Sequence, residues 1–316
     1  MNFQTKIILK KQSKNLIDYN SKILMLGSCF SENIGDKLSY FKYQTLQNPF
    51  GILFHPKAIE SFITNAINKK EYKDNDLILQ NERWHCFDAH SSSSAIDKNK
   101  ILKNLNSAIS VSERKLKEAS HIIITLGTSW VYRYIENDCI VANCHKIPQK
   151  KFLKEILSID EITETLQAII VLIKSVNKNT TVLFTVSPVR HLKDGFVENT
   201  RSKSHLIAAI HNVVDVQKNS HYFPSYEIMM DELRDYRFYA EDMIHPNKTA
   251  INYIWEIFVA SWFSEDSKQI MKEVDVIQKG LSHKPFNEKS EQHQQFLKNL
   301  QSKILKLKKK NSNIEF

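Results

Sequence analysis

The chain has 316 residues, of which 42% are hydrophobic and 25% are charged, and its formal net charge is +9. These proportions exclude a disordered or fibrous chain and predict a soluble globular protein with one large or two modest domains. The chain also lacks an apolar run as long as a membrane span, because the most apolar one, residues 168–173, is short enough to fit a buried helix.

Charge distribution and cysteine spacing bear on the partners and the cellular location of the protein. Much of the positive excess falls between positions 303 and 310, which favours a solvated helix end over a nucleic-acid site. The N-terminal residues hold too short an apolar run for a secretory signal. The cysteines, which show neither zinc spacing nor a small secreted pattern, are Cys29, Cys86, Cys139 and Cys144. We therefore expect reduced thiols, a cytoplasmic location and no nucleic-acid partner.

The first predicted strand leads directly into a candidate nucleophile. Residues 23–26 are apolar and end at Gly27, which is typical of a short strand buried in a parallel sheet. Ser28 and Cys29 follow, at the start of a helix whose predicted cap is Ser31. Backbone N–H groups at a helix N-terminus favour the anionic form of a nucleophile. Small polar residues are also common at such turns, so the turn alone does not establish catalysis.

The remaining segments alternate between strand and helix patterns. This alternation predicts a parallel sheet with helices on both faces and ligands at the carboxyl ends of the strands. The predicted strands lie at residues 43–46, 119–127 and 180–188, with a hairpin at 131–144 and a last strand element after 222. The predicted helices cover residues 57–69, 99–119, 158–176, 202–216 and 248–263, and two more lie between 264 and 316.

A second candidate site element lies near the end of this alternation. Asp242 precedes His245 by three residues, and Pro246 disfavours helix at the histidine. A histidine that takes a proton from a nucleophile needs a carboxylate on its other ring nitrogen, and one short loop supplies both groups here. As a bare pattern this spacing is weak, and its value comes from its pairing with the N-terminal turn.

These two segments, in this order, resemble the GSCFA family, a branch of the SGNH (GDSL-like) hydrolase superfamily. Residues 27–31 read Gly-Ser-Cys-Phe-Ser and carry the signature, with Ser31 in place of the final alanine. Further blocks that resemble the family are residues 48–51, 126–132, 142–146, 187–191, 222–227 and 237–239. The resemblance implies a three-layer α/β/α sandwich with a parallel central sheet for residues 1–263. Residues 264–316 are then a helical, lysine-rich C-terminal extension.

The resemblance also implies the catalytic residues. The wider superfamily carries Gly-Asp-Ser with serine as the nucleophile, and placing Gly27 on that glycine puts Cys29 over the nucleophile. Cys29 is therefore the first choice, and Ser28 stays the alternative because a shift of one residue remains open. His245 is then the general base and afterwards the acid, and Asp242 orients it.

The oxyanion hole departs from the pattern of the superfamily. Gly51 stands where the resemblance implies a backbone N–H donor, although Asn-Pro-x-Gly is also a common turn signature. The superfamily has an asparagine after the central strand, where this chain has Thr128 and Ser129. Their hydroxyls are candidate donors, but the loss of one such donor can lower a rate by about 10² to 10³.

Three further residues are candidates for the substrate side of the site. Asn143 and His145 lie where the predicted hairpin returns to the sheet, and a buried cysteine beside a surface histidine is the alternative interpretation of this block. Arg190 follows a strand end and suits a carboxylate or phosphate, although an ordinary surface arginine fits equally well.

We therefore expect an esterase or acyltransferase that forms an acyl-enzyme on a small-molecule or carbohydrate ester, without a metal or organic cofactor. The alternative is an SGNH-fold binding module that has lost turnover. The missing asparagine favours that alternative, and the intact Asp242–His245 pattern opposes it. The C-terminal helices are expected to pack on the domain or to contact a partner.

Overall fold

The computed structural model describes residues 5–316, so the N-terminal segment used for the location prediction includes four residues outside the described part. In chain order the strands are β1 (Lys22–Gly27), β2 (Gln44–Gln47), β3 (Ile78–Gln80), β4 (Arg83–His85), β5 (His121–Leu126), β6 (Trp130–Tyr134), β7 (Cys139–Val141), β8 (Phe152–Ile156), β9 (Thr181–Val186) and β10 (Ser220–Phe223). The helices are α1 (Cys29–Tyr40), α2 (Pro56–Ile67), α3 (Lys98–Glu118), α4 (Ile159–Val176), α5 (Phe196–Val214), α6 (Ser225–Glu227), α7 (Lys248–Trp262), α8 (Glu265–Ser282) and α9 (Glu291–Lys310).

A parallel sheet of five strands, in the order β10-β9-β5-β1-β2, forms the centre of the fold. Successive residues of β1 face opposite sides, as the two-residue period of a strand requires. Leu24 and Leu26 pack with α2, α3, α4 and α5, whereas Ile23 and Met25 pack with α1 and α7. The predicted α/β fold with helices on both faces of a parallel sheet is therefore confirmed.

The order of the strands creates a crevice beside β1. The chain passes from β1 to β2 on one side and then returns to β5 on the other side of β1. In an open parallel sheet, such a reversal leaves a ligand-binding crevice at the carboxyl ends of the two central strands. Cys29 follows β1 and Gly127 follows β5, so the candidate nucleophile turn lies at this crevice.

The cap of α1 differs from the prediction. Ser28, not Ser31, caps the helix, because its Oγ accepts a hydrogen bond from the N–H of Phe30 at 3.3 Å. Ser31 lies inside the first turn, and its hydroxyl pairs with the hydroxyl of Thr125 at 2.7 Å. The helix therefore begins earlier than predicted, and Cys29 is its first residue.

Gly27 explains this early start. Its φ of 131° turns the chain sharply as soon as β1 ends, and a Cβ at this position would lie 2.1 Å from the carbonyl oxygen of Thr125. Only glycine fits such a position, because it has no side chain to clash and adopts positive φ readily. This glycine brings Ser28 and Cys29 to the sheet edge.

The last strand, β10, also differs from the prediction, because it ends at Phe223 and residues 225–232 are helical. The other main differences lie outside the central sheet. The predicted hairpin is confirmed as β6 and β7, and β8 joins it to form a three-stranded antiparallel sheet. Helix α5 begins at Phe196 instead of residue 202, after Gly195 with its positive φ of 111°. Residues 196–201, which precede the predicted start of this helix, are therefore helical.

The two C-terminal helices pack on the face of the sheet that carries α1 and α7. Their buried apolar residues belong to the same cluster, and they are Met271, Val274, Ile277, Leu300, Ile304 and Leu307. Tyr40 at the end of α1 donates its hydroxyl to Asp275 at 2.9 Å. Within residues 5–316, no helix combines the length and the hydropathy that crossing a membrane requires.

Candidate active site

The two candidate nucleophiles have different surroundings. Cys29 is partly exposed, whereas Ser28 is fully buried and its hydroxyl is engaged in the cap of α1. Burial and the carboxylate of Glu32 raise the pKa of the Cys29 thiol above its ordinary value. The charge of Lys203 and the N–H groups of Cys29 and Phe30 lower that pKa, but by less. The thiol therefore sits among groups that push its ionisation in opposite directions.

The segment after β2 holds the ends of the two central strands. The N–H of Gly27 donates to Asn48 Oδ1 at 2.9 Å, and the carbonyl of Gly27 accepts from the N–H of Leu53 at 3.0 Å. The N–H of Gly127 donates to the carbonyl oxygen of Phe54 at 2.8 Å. One segment thus fixes the turn after β1 and the turn after β5 relative to each other.

Gly127 marks the point where four segments converge. A Cβ at this position would lie 3.1 Å from the carbonyl oxygen of Phe54, 3.2 Å from His191 Nε2 and 3.4 Å from the Cβ of Ser28. The turn after β1, the segment after β2 and the loop after β9 therefore meet the end of β5. A side chain at Gly127 would therefore crowd all three segments.

Asp242 and His245 form the pair that the sequence predicts. Asp242 Oδ2 lies 2.6 Å from His245 Nδ1, and Asp242 Oδ1 accepts the backbone N–H groups of Ile244 and His245. These hydrogen bonds hold the pKa of Asp242 down at about 2. The carboxylate is ionised at neutral pH, so Nδ1 of the histidine carries the proton and Nε2 is its free acceptor.

The loop that carries His245 rests on the loop after β9. The backbone N–H of Arg190 donates to the carbonyl oxygen of Ile244 at 3.2 Å. His191 is the next residue, so this hydrogen bond also brings His191 close to the loop that carries His245. The Asp242–His245 pair therefore lies at the same carboxyl edge of the sheet as the turn after β1.

His191 is a site residue that the sequence patterns do not single out, although it belongs to one of the blocks that resemble the family. Its Nε2 is buried without a hydrogen-bond partner within the described residues. Burial, with the charges of Lys203 and His245, lowers the pKa of His191 to about 3. The ring is therefore neutral at physiological pH.

Lys203 is a second site residue that the sequence analysis did not name, and it is 1% exposed. Its Nζ donates to the carbonyl oxygens of Gly127 at 2.7 Å and of Ser187 at 2.8 Å. Burial lowers the pKa of Lys203 to about 7. A signal exists in the sequence, because Lys203 occupies the apolar stripe that Leu206 and Ile210 continue along α5.

Of the three candidate oxyanion donors, Gly51 and Thr128 are engaged in other hydrogen bonds. The N–H of Gly51 donates to the carbonyl oxygen of Asn48 at 2.7 Å, within the turn. The Thr128 hydroxyl accepts from the N–H of Trp130 at 3.0 Å and pairs with the hydroxyl of Ser202. Ser129 is fully buried, and its hydroxyl has no partner within the described residues. Their role in binding an oxyanion stays a prediction.

Asn143 and His145 brace a neighbouring loop. Asn143 Oδ1 accepts the N–H of His145 at 2.9 Å and the hydroxyl of Ser91 at 3.3 Å. His145 is buried, its Nε2 lies 2.7 Å from the carbonyl oxygen of Cys86, and burial lowers its pKa to about 4. These contacts give both side chains a structural role, and their contact with substrate stays a prediction.

Arg190 borders a small pocket beside the His245 loop. Its guanidinium lies 4.0 Å from the ring centre of Tyr239 and 5.3 Å from that of Tyr236. The pocket has a volume of about 150 Å³, and Arg234 also lines it. Two arginines therefore face a cavity next to the candidate base. Within residues 5–316, no three His, Cys, Asp or Glu side chains are grouped so that they could hold a metal ion.

The comparisons with known proteins cover both halves of the site. A model described as "GSCFA family" matches residues 22–258, which include the turn at Ser28 and Cys29 and the loop with Asp242 and His245. A model described as "GSCFA domain protein, C-terminal domain" matches residues 274–316, which include α9. No curated protein matches the chain.

Proposed function

We propose that this chain, which belongs to the GSCFA family, is an SGNH-like esterase or acyltransferase that forms an acyl-enzyme on an O-acylated substrate. The observation that carries the proposal is the difference between Cys29 and Ser28. Cys29 is partly exposed at the first position of α1, where N–H groups favour a thiolate, whereas Ser28 is buried and caps the helix. Cys29 is therefore the proposed nucleophile.

The first half of the proposed reaction acylates Cys29. His245 Nε2 takes the thiol proton, and Sγ bonds to the ester carbonyl carbon while the carbonyl π electrons move to oxygen. The tetrahedral intermediate then collapses and its bond to the alcohol oxygen breaks. That oxygen leaves with the proton from His245, so the products are an alcohol and a thioester on Cys29. Asp242 keeps the ring oriented and stabilises the transient imidazolium.

The second half removes the acyl group. A water molecule, or the hydroxyl of an acceptor, gives its proton to His245 and attacks the thioester carbonyl. The carbon–sulfur bond breaks, and the proton returns from His245 to Sγ. Water as the acceptor makes the protein an esterase, and another alcohol makes it an acyltransferase.

The oxyanion of both intermediates needs preorganised donors. The backbone N–H of Cys29 is at the N-terminus of α1, where the helix dipole also favours negative charge. Gly51, Thr128 and Ser129 are the additional donors that the family resemblance suggests. To bind the oxyanion, Gly51 and Thr128 would have to give up their present hydrogen bonds, and the buried Ser129 hydroxyl would have to become accessible to substrate.

The substrate is proposed to be a small-molecule or carbohydrate ester. Arg190 and Arg234 face a pocket of about 150 Å³ beside the His245 loop, which suits an anionic group near the reacting ester. We also propose a cytoplasmic location, because the cysteines Cys29, Cys86, Cys139 and Cys144 are free.

A binding module without turnover is the second candidate, and two observations favour it. Burial raises the pKa of the Cys29 thiol. Among the hydrogen bonds of residues 5–316, none joins Cys29 to His245, whose recorded side-chain partner is Asp242. Such bonds are often long before substrate binds, so this geometry does not decide between the two candidates.

Parallel labelling with iodoacetamide and a fluorophosphonate, followed by peptide mapping, separates the candidates. The proposal predicts that Cys29 alkylates faster than the exposed Cys139 and that His245→Ala removes this difference. Fluorophosphonate on Ser28 would move the nucleophile by one residue. If neither Cys29 nor Ser28 reacts faster than the other thiols, the result contradicts the enzyme and supports the binding module.

A further inference from the structure

We propose that Lys203 is the buried counter-charge of the Cys29 thiolate, a positioning residue that acts through the nucleophile without touching substrate. The inference rests on the proposed function, because it requires Cys29 to be the attacking group. Its basis is geometric: a lysine amine lies inside the protein at the ends of β5 and β9 and donates to the carbonyl oxygen of Gly127. A Cβ at Gly127 would lie 3.4 Å from the Cβ of Ser28, the residue before Cys29.

Burial makes Lys203 unusual. A lysine side chain is rarely fully buried unless it is paired, because an ammonium ion loses its hydration inside a protein. The recorded hydrogen bonds of its Nζ go to the carbonyl oxygens of Gly127 and Ser187. Within the described residues Lys203 forms no ion pair with a carboxylate. The two carbonyl oxygens accept hydrogen bonds from this amine but do not balance a positive charge on it.

The carbonyl oxygens of Gly127 and Ser187 accept two of the three N–H donors that a protonated Lys203 has. They also hold the nitrogen in place at the crevice edge of the sheet. A positive charge fixed in this way needs no reorganisation when negative charge develops nearby.

The groups around the pair define its electrostatics. Cys29 faces Glu32 on its own helix, which disfavours the thiolate, and Lys203 on α5, which favours it. Lys203 also faces His191, whose pKa it lowers, and lies 5.8 Å from the ring centre of Tyr226. A negative charge on Cys29 would raise the pKa of Lys203, in opposition to the effect of burial.

Lys203 brings a polar group to the end of β5, where the chain lacks the asparagine of the superfamily. The residues after β5 lack the asparagine that the superfamily places there, so the site lacks one polar donor. The amine of Lys203 reaches that same strand end from α5, through Gly127. It brings a positive charge there, which stabilises the thiolate before attack and increases its fraction at neutral pH.

The test measures the alkylation rate of Cys29 by iodoacetamide as a function of pH in the full chain. Lys203→Met should raise the apparent pKa of Cys29 by about half a unit, which lowers the alkylation rate at pH 7.5 about threefold. Lys193→Met is the matched control, because Lys193 is an exposed lysine on the loop after β9. Circular dichroism establishes that both variants are folded.

A second measurement avoids substitution of the buried lysine. NMR of ¹³Cε-labelled lysine follows the titration of Lys203 in the wild type and in Cys29→Ser, which changes one atom. Loss of the thiolate should lower the pKa of Lys203 by about half a unit or more, since the two charges stabilise each other reciprocally. Cys139→Ser, at an exposed thiol, should leave it unchanged.

The outcomes separate this inference from the proposed function. The role of Lys203 is overturned if the pH profile of Cys29 alkylation is the same in the wild type and in Lys203→Met and if Cys29→Ser leaves the pKa of Lys203 unchanged. The proposed enzyme stands in that case, provided that Cys29 alkylates faster than Cys139. A Cys29 that is no more reactive than Cys139 in the wild type overturns the proposed function itself. Shifts in both measurements support the pair.

Discussion

Asp242 Oδ2 accepts a hydrogen bond of 2.6 Å from His245 Nδ1, and the same carboxylate accepts two backbone N–H groups of its own loop. The loop therefore fixes both the carboxylate and the ring that it orients. Nε2 is left as the nitrogen that can exchange a proton with a nucleophile or a leaving group.

Asp242→Asn is expected to keep the fold and to lower kcat by about 10²- to 10⁴-fold, because the amide stabilises the wrong tautomer and no longer stabilises the imidazolium. Steady-state kinetics with an activated ester would measure this loss. Glu241→Gln is the control, since it removes the neighbouring exposed carboxylate. Equal losses in the two variants would contradict the orienting role of Asp242.

Glu32→Gln is expected to lower the apparent pKa of Cys29, because the carboxylate of Glu32 disfavours the thiolate. We expect a change of about half a unit, hence an increase of about threefold in alkylation rate below that pKa. Asp36→Asn, at an exposed position further along α1, should leave the rate unchanged. A slower reaction in Glu32→Gln would show that Glu32 acts on Cys29 in another way.

Gly27→Ala is expected to destabilise the fold by about 2 to 4 kcal/mol, since it combines a positive φ with a clash against the Thr125 carbonyl. Gly127→Ala is expected to cost less stability but to reduce activity, because its new methyl group approaches His191 and Ser28 at 3.2 and 3.4 Å. Urea denaturation and ester hydrolysis would be measured on both variants. A Gly127→Ala protein with full activity would place the reacting ester away from this convergence.

Buried histidines are expected to make the protein sensitive to acid. The pKa of His55 is lowered to about 4 by burial, against about 6.5 in an unfolded chain. Between these values the unfolded chain binds more protons than the folded one, so stability is lost as pH falls from about 6.5 to about 4. His145, at about 4, and His191, at about 3, act in the same direction.

His55→Asn tests this pH dependence, because asparagine can still cap α2, where His55 Nδ1 accepts the N–H of Ala58. Urea denaturation across pH 4.5 to 7.5 should show about one fewer proton taken up on unfolding. His283→Asn, at an exposed position, is the control. An unchanged pH dependence in His55→Asn would contradict a neutral buried His55.

Most strands of the central sheet and most helices were accessible from sequence because their signals are local, whereas β3, β4 and β8 were not predicted. The apolar runs that become β1, β5 and β9 need no knowledge of their neighbours, and the predicted start of α4 coincides with a capping box formed by Ser158 and Glu161. The cap of α1 was not accessible, because Ser28 and Ser31 are equally good caps in sequence. The choice depends on the positive φ of Gly27, whose close approach to Thr125 on β5 appears only in the folded chain.

The site was only partly accessible for the same reason. Cys29, Asp242 and His245 lie in short motifs that the sequence displays. Lys203 and His191 gain their meaning from burial at the ends of β5 and β9, which only the folded chain creates. A lysine in an apolar helical stripe is the one sequence signal that pointed to Lys203.

The most direct test of the central claim is to trap the acyl-enzyme. The protein is mixed with an activated phenyl ester, quenched in acid and mapped by mass spectrometry, with Cys29→Ala, Ser28→Ala and His245→Ala in parallel. We predict an acyl group on the peptide with Cys29, released by neutral hydroxylamine as a thioester, retained in Ser28→Ala and lost in the other two variants. An acyl group that persists in Cys29→Ala, or labelling no faster than at the exposed Cys139, would contradict the account.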